Sequence, residues 1–360
     1  MKTLLDPDSL RALARGCAVL GAGGGGDPYL GLLQALQATE DYGPVALVDI
    51  DELPGDSLIM PCGGIGAPTV SIEKIENGDE GGRLREHLEF VTGARVAALM
   101  SAEIGGSNGL LPVAWAARMG LPVVDADGMG RAFPEVPQVT MHLAGIPPSP
   151  AVMTDERGNL VVFRAISGHW MERLERAAAV EFGGAASSTE FPLSAAQART
   201  ATVRGSVSLA IRIGDSVAHA EGSPVAALIA EIGAFRLIGG KISDVERHTT
   251  KGFVRGSVVV EGLGNDSGRL LRLELQNENL VALERGRVLA SVPDLISVLD
   301  SETADAIVTE RIAYGQRVTV IAFPCDPVWR TARGIEIAGP RAFGYEFDYL
   351  PVEELASARA

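Results

Sequence analysis

Apolar positions along the first third of the chain follow two rhythms. Leu10, Leu13, Ala14 and Cys17 recur at helical spacing, and Asp8 stands where it can cap a helix running to about Leu20. Pro28 opens a second helix over YLGLLQALQ, since proline at the first helical position sacrifices no hydrogen bond. VALVDI and DSLIMPC, separated by a turn at Pro54-Gly55, then read as short strands. ARVAALMS predicts a buried strand leading to Glu103. NGLLPVAWAARMG predicts a helix with Asn108 near its cap, and LPVVDAD another buried strand ending in Asp125 and Asp127. Strand, helix and strand in that order predict a parallel α/β unit, with polar residues at the carboxyl ends of the strands, where such sheets bind ligands.

Beyond a Pro-rich stretch at Gly145 to Pro150 the pattern changes. VMTDERGNLVVFRAI predicts a hairpin, and helices are expected over Trp170 to Phe182 and Ser194 to Ile211. After about Gly240 come GFVRGSVVVEG, RLLRLELQN, NLVALERG and RVTVIAFP, with turn signals at the short spacing of a barrel or sandwich. The expected fold is an α/β N-terminal domain with a layered, largely parallel sheet, residues 1–160. A helix-linked, mainly-β C-terminal domain is expected over residues 161–360, with the boundary near 150–165.

Composition narrows the function. A chain of 360 residues suits two domains, and 46% hydrophobic with 21% charged residues predicts a folded chain. With 31 basic and 46 acidic residues the net charge is −15, a field that repels phosphate backbones and anionic lipid, so neither nucleic acid nor a membrane is an expected partner. The longest uncharged run, Val136 to Thr154, holds four prolines and predicts no spanning helix. The opening MKTLLDPDSLRALARG carries acids where a signal peptide is apolar, so a cytoplasmic protein is expected. Cys17, Cys62 and Cys325 form no CxxC, so neither a disulfide framework nor a structural zinc knuckle is expected.

Four segments carry candidate chemistry. In GAGGGGDP, Gly21, Gly23 and Gly26 fit G-x-G-x-x-G, which leaves a nucleotide-binding protein using NAD or ATP as an alternative reading. That motif follows a strand, however, whereas this one follows a predicted helix; a tight loop packed on a site or on neighbouring backbone is the leading reading. PCGGIGAP, Pro61 to Pro68, is a second Gly-rich turn at a strand end. Its Cys62 would need a neighbouring base to become a nucleophile, and the simpler reading is a small buried hydrophobe. SAEIGGSN supplies Glu103 and Asn108; DADGMGRAFPE supplies Asp125, Asp127, Arg131 and Glu135. Carboxylates at i and i+2 of a strand share one side, so they can share a proton, bind a cation or orient a water. Equally, they can cap the following turn with Arg131 as counter-charge. The expectation is that Glu103, Asp125, Asp127 and Arg131 line one pocket between the domains. The histidines, His87, His142, His169, His219 and His248, form neither HxH nor HExxH. His142, just downstream of the acids, and then His248 are the exceptions to a purely structural reading. If a divalent metal is used, Asp125, Asp127 and His142 are its candidate ligands.

GAGGGGDP, EIGGSN, DADGMGRAFPE, GKISDVERHTTKGF, QNENL, VPDLISVLD and GPRAFGYEFDYLP occur in this order. As a set they resemble the S-methyl thiohydantoin desulfurase-like family, often associated with hydantoinases and oxoprolinases, from about Leu10 to Pro351. The resemblance implies an α/β domain followed by a mainly-β domain. It also implies a hydrolase-like enzyme acting on a thiohydantoin or hydantoin-type cyclic ureide through carboxylate- or metal-activated water. It places Glu103, Asp125, Asp127 and Arg131 in catalytic roles. Gly24, Gly25, Gly63, Gly64, Asn108, Glu135, Asn277 and Glu278 would bind the substrate. A homo-oligomer, or a non-catalytic partner subunit of a hydantoinase- or oxoprolinase-type enzyme, is the expected assembly.

Overall fold

Two sheets organise the chain. A computed structural model describes residues 3–66, 70, 73–250 and 253–358, with the side chains of 249, 250, 253 and 254 left aside. Ala67 and Pro68 of the second Gly-rich turn, and Lys251 and Gly252 of the GKISDVERHTTKGF motif, lie outside the described residues.

The first sheet is built from β1 (Thr3–Leu5), β2 (Val45–Val48), β3 (Leu58–Gly66), β4 (Val96–Ser101), β5 (Val123–Asp127), β6 (Ala151–Thr154), β7 (Leu160–Phe163), β8 (Ala185–Thr189), β9 (Leu193–Ser194) and β10 (Val203–Arg204). Its order is β1-β2-β5-β4-β3-β8-β6-β7, with β10 on β5 and β9 on β3. The four central strands β2, β5, β4 and β3 pair in parallel. Antiparallel partners finish both sides.

Local chemistry explains the helices. Pro7–Leu20 starts at Asp6, whose carboxylate accepts Ser9 N at 2.8 Å, and buries Leu10, Leu13, Ala14 and Cys17. The cap is therefore Asp6 and not Asp8; Asp8 sits in the first turn and pairs with Arg11. Pro28–Tyr42 is capped by Asp27 through Tyr29 N. The single helix expected over Ser194 to Ile211 is two, Ala195–Ala201 and Ser206–Ala218. Between them Val203 and Arg204 pair with Asp127 and Ala126, and Gly205 turns the chain at φ +73°. Strand pairing and a left-handed glycine override a continuous helical periodicity here. The helix Pro224–Ile232 was not foreseen.

The second sheet runs β15 (Arg287–Ser291), β14 (Glu278–Glu284), β13 (Leu270–Gln276), β12 (Phe253–Gly262), β11 (Phe235–Thr250), β17 (Arg317–Phe323) and β16 (Leu295–Asp300) in spatial order. Every pair is antiparallel, and the sheet curls into a half-barrel. Alternation gives it two apolar faces. Leu273, Val258, Val260, Ile296 and Val320 fill one. Leu280, Val281, Leu295 and Ile321 join the large core that also holds Leu13, Cys17 and Leu99 of the first layer. The halves are thus docked through apolar surface, the dominant favourable contribution to such an interface.

Candidate functional site

The Gly run sits where the halves meet. Asn279 N donates to Ala22 O at 2.8 Å and Thr309 N to Gly23 O at 2.9 Å, so residues of the half-barrel hold the loop by its carbonyls. Its other side rests on the turn after β4. A Cβ on Gly25 would stand 2.2 Å from Gly105 O, and one on Gly106 would stand 2.3 Å from Gly25 C, so neither position has room for a side chain. A helix precedes the loop, and the next helix is capped by the Asp27 carboxylate, which accepts Tyr29 N at 2.9 Å. The strand–loop–helix context of a dinucleotide site is therefore lacking here.

A cavity of about 580 Å³ opens beside this joint. Its walls come from Gly25 and Gly26, from the end of β3 at Gly63 and Gly64, from the loop carrying Glu103 and Asn108, from Phe133 to Val136, from β8, and from Asn277 and Glu278 of the half-barrel. At this size it suits a small organic ligand with substituents.

Glu103 is the best-determined acid in it. The amide of Asn108 donates to Oε1, and Phe133 N donates to Oε2 at 3.2 Å. Asn108 is itself oriented, because its Oδ1 accepts Gly64 N at 3.0 Å. Ser101 Oγ ties down the loop by donating to the carbonyls of Glu103 and Asn108. Burial pushes the Glu103 carboxyl up to about 8, against the downward pull of Asn108 and Phe133 N, with Asp127 adding repulsion. The acid is therefore held protonated around neutrality.

Glu278 opens β14, next to Asn277, which bends the hairpin at φ +57°. It is 2% exposed, and its Oε2 receives no hydrogen bond. Burial, and then the neighbouring Glu103, raise its pKa well above the usual carboxylate range. Gly24 explains how it fits: a Cβ there would lie 2.1 Å from Glu278 Oε1. Gly24 thus serves the site by leaving space for an acid from the other half.

Three residues expected in the pocket are elsewhere. Asp125 accepts from Ser208 N at 2.9 Å and from Ser208 Oγ at 2.5 Å, which ties it to the first turn of the helix Ser206–Ala218. Asp127 Oδ2 accepts Ile104 N, Met129 N and Gly130 N at 2.8 to 2.9 Å, folding the turns after β4 and β5 around one buried oxygen. Burial raises Asp127 to about 6 while these amides pull it down. Neither carboxylate reaches the cavity, because backbone donors claim both of them. Arg131 is fully buried, donating to Pro293 O at 2.5 Å, Asp294 O at 3.1 Å and Ala132 O at 2.9 Å, with its guanidinium 4.3 Å from the Phe133 ring centroid. It fastens the loop after β5 to the half-barrel and lies behind the cavity wall. Burial lowers its pKa, and Glu278 is the largest influence in the opposite direction.

The candidate metal set does not assemble. His142 packs edge-on against His169 and Phe191, while Asp125 is held by Ser208 and Asp127 by backbone amides. Among the described residues no group of three or more His, Cys, Asp or Glu side chains is arranged to hold a metal ion. Cys62 is buried, donates to Met60 O at 3.4 Å, and is pushed upward by burial, as expected of a small hydrophobe. His248 is exposed beside Glu246 on β11. Glu135 does line the cavity, with its pKa raised by burial.

Sequence reasoning missed Glu76, Glu175 and Glu190. Glu76 and Glu190 line the cavity, and Glu175 packs behind Glu190 from the helix Gly168–Glu181. The one available signal was Glu190 closing the polar run SSTE at a strand end before Phe191-Pro192. Glu175, on one face of a helix with Met171 and Ala179, carried no such mark.

Among the described residues no helix is long and apolar enough to cross a membrane. An X-ray crystal structure of a protein from Chromobacterium violaceum shares this fold, with a TM-score of 0.83 and 24% identity over 97% of this chain and 100% of that one. No curated protein matches the chain. The model of the S-Me-THD-like N-terminal domain matches residues 8–165, and that of the S-Me-THD-like C-terminal domain matches residues 166–352. The two family models meet between residues 165 and 166, although the first sheet draws strands from as far as Arg204. Matched over nearly its whole length by both models, the chain belongs to the S-Me-THD-like family, whose name points to a thiohydantoin-related enzyme.

Proposed function

We propose that the chain hydrolyses a thiohydantoin- or hydantoin-type cyclic ureide, removing the sulfur substituent from the ring carbon between the two nitrogens. The observation that supports this most is the pairing of Glu103 and Glu278 on the cavity wall, two buried carboxyls from different halves with Arg131 behind them. With one proton between the two carboxyls, one is an acid and the other a base; the fixed charge of Arg131 compensates the ionised partner.

In the reading we favour, the neutral member of the Glu103–Glu278 pair protonates a ring nitrogen, which makes the adjacent carbon more electrophilic. Its ionised partner takes a proton from the attacking water. A C–O bond forms and the C–S bond then breaks. One proton of the water ends on sulfur, which leaves as a thiol, and the other replaces the proton given to the ring nitrogen. Asn108 and Phe133 N keep the Glu103 carboxyl in one orientation throughout. Gly64 N is committed to Asn108 Oδ1.

The test is turnover of S-methyl thiohydantoin by the purified chain, following thiol release and hydantoin formation. Glu103→Gln and Glu278→Gln should each lower kcat by about 100-fold or more, the usual weight of a positioned acid or base. Full activity in either variant, or no turnover of any thiohydantoin or hydantoin by the wild type, overturns the proposal.

A further inference from the structure

The helix Gly168–Glu181 is apolar on two faces. One is spent inside the chain, where Met171 and Ala179 pack with Ile65, Met153 and Phe163 of the first sheet. The other is turned to solvent. Trp170, Leu174 and Val180 are 44%, 40% and 67% exposed, and Ala177 is exposed between them. At intervals of three and four residues they form one stripe along the helix. A surface helix ordinarily keeps a single apolar face and presents polar residues to water, so a second, contiguous stripe marks a surface that meets another molecule.

The order of residues along the stripe says which molecule. Leu174 and Val180 stand at equal distances before and after Ala177, and Arg173 and Glu181 stand one residue further out on each side. Arg173 stacks over the Trp170 ring, 4.5 Å from its centroid. Among the described residues neither Arg173 nor Glu181 takes part in an ion pair. A two-fold axis at Ala177 reverses the helix upon itself. Each residue then meets the one equally far out on the other copy, so Leu174 faces Val180 and Arg173 faces Glu181, each contact occurring twice. Alanine at the axis lets the two helices approach to about 8 Å. Trp170 comes level with the Gly183–Gly184 turn of the other copy, where no side chain stands in its way. A partner of unrelated sequence would give no reason for this inverted match of apolar and oppositely charged positions.

We propose that this face is the seam of a homodimer, in which two copies pack the helix Gly168–Glu181 antiparallel about a two-fold axis at Ala177. The apolar stripe supplies the driving force, and the paired Arg173 and Glu181 set the register and exclude the parallel arrangement. The seam is independent of the reaction proposed above.

Sedimentation equilibrium tests it. The wild type should have twice the mass of one chain. Leu174→Glu puts a charge into the apolar stripe and should weaken association at least tenfold. Arg173→Glu and Glu181→Arg should each weaken it threefold or more, while the double variant, which restores opposite charges across the seam, should return to within twofold of wild type. Ala177→Cys faces its own copy and should form an intermolecular disulfide on mild oxidation, with the native Cys17, Cys62 and Cys325 buried out of reach. These positions are exposed in the single chain, so circular dichroism should be unchanged in every variant. A monomeric wild type would leave the stripe to a protein of another sequence and overturns the proposal. So does a dimer that Leu174→Glu leaves intact, or a double variant that associates no better than the single ones.

Discussion

The side chain of Asn108 bridges the Glu103 carboxyl and the amide of Gly64, donating to one and accepting from the other. It thereby joins the loop after β4 to the end of β3, the strand beside it. Asn108→Leu would leave Glu103 Oε1 and Gly64 N without their partner. A hydrogen bond to a charged group contributes about 1.5–3 kcal/mol, so the Glu103 pKa should rise by about one to two units. The limb of the pH–rate profile that reports Glu103 ionisation should move alkaline by that amount. An unshifted profile with intact activity would show that Asn108 does not tune this acid.

Stability should fall as pH rises. Glu103 is raised to about 8, and Asp127 and Glu190 to about 6. A carboxyl whose pKa is higher in the folded state binds its proton more tightly there. Its contribution is complete below the unfolded value and is lost as pH climbs through the folded one. The melting temperature should therefore decline between about pH 5 and pH 9, with Glu103 and Glu278 together responsible for the upper part, up to a few kcal/mol. Thermal unfolding of the wild type and Glu103→Gln across this range checks it: the variant's curve should be flatter above pH 7.

The strand-end aspartates should prove structural. Asp127→Ala strips the acceptor from three backbone amides, two of them fully buried, and should cost about 3 kcal/mol or more in chemical denaturation. Asp125→Ala removes the acceptor tied to the first turn of the helix Ser206–Ala218 and should cost about 1 kcal/mol, with kcat/KM within twofold of wild type. Loss of turnover in a fully folded Asp125→Ala would restore that residue to the catalytic set.

Neighbouring glycines should separate function from folding. Gly25 has φ +75° and faces backbone at 2.2 Å, so Gly25→Ala should unfold or severely destabilise the chain. Gly24 faces the Glu278 side chain instead, at 2.1 Å. Gly24→Ala should fold and lose tenfold or more in kcat/KM, because Glu278 must shift. Comparable melting temperatures for the two variants would contradict this assignment.

Much of this was legible in the chain. Apolar runs separated by helical patterns announced the parallel centre of the first sheet, and the later turn-rich alternation announced the half-barrel. Glu103 and Asn108 stood out because they follow a buried strand. The same reasoning placed Asp125 and Asp127 at the site, and here periodicity was insufficient. Spacing of two fixes the side of the strand, not what waits there, and backbone amides from Ile104 and Ser208 had already taken both acids. Glu175 and Glu190 were invisible for the opposite reason, since only tertiary packing brings helix Gly168–Glu181 against the end of β8.

The glycine loop whose carbonyls are gripped by Asn279 and Thr309 limits how the halves can be exchanged. Its fit depends on Glu278 and Asn279, more than 250 residues further along the chain. A half exchanged for a foreign counterpart at residue 165 would have to match this seam, small at position 24 and carboxylate-bearing at 278. The two halves are thus coupled at this seam, and substitutions in the loop should be tolerated only with compensating changes at the start of β14.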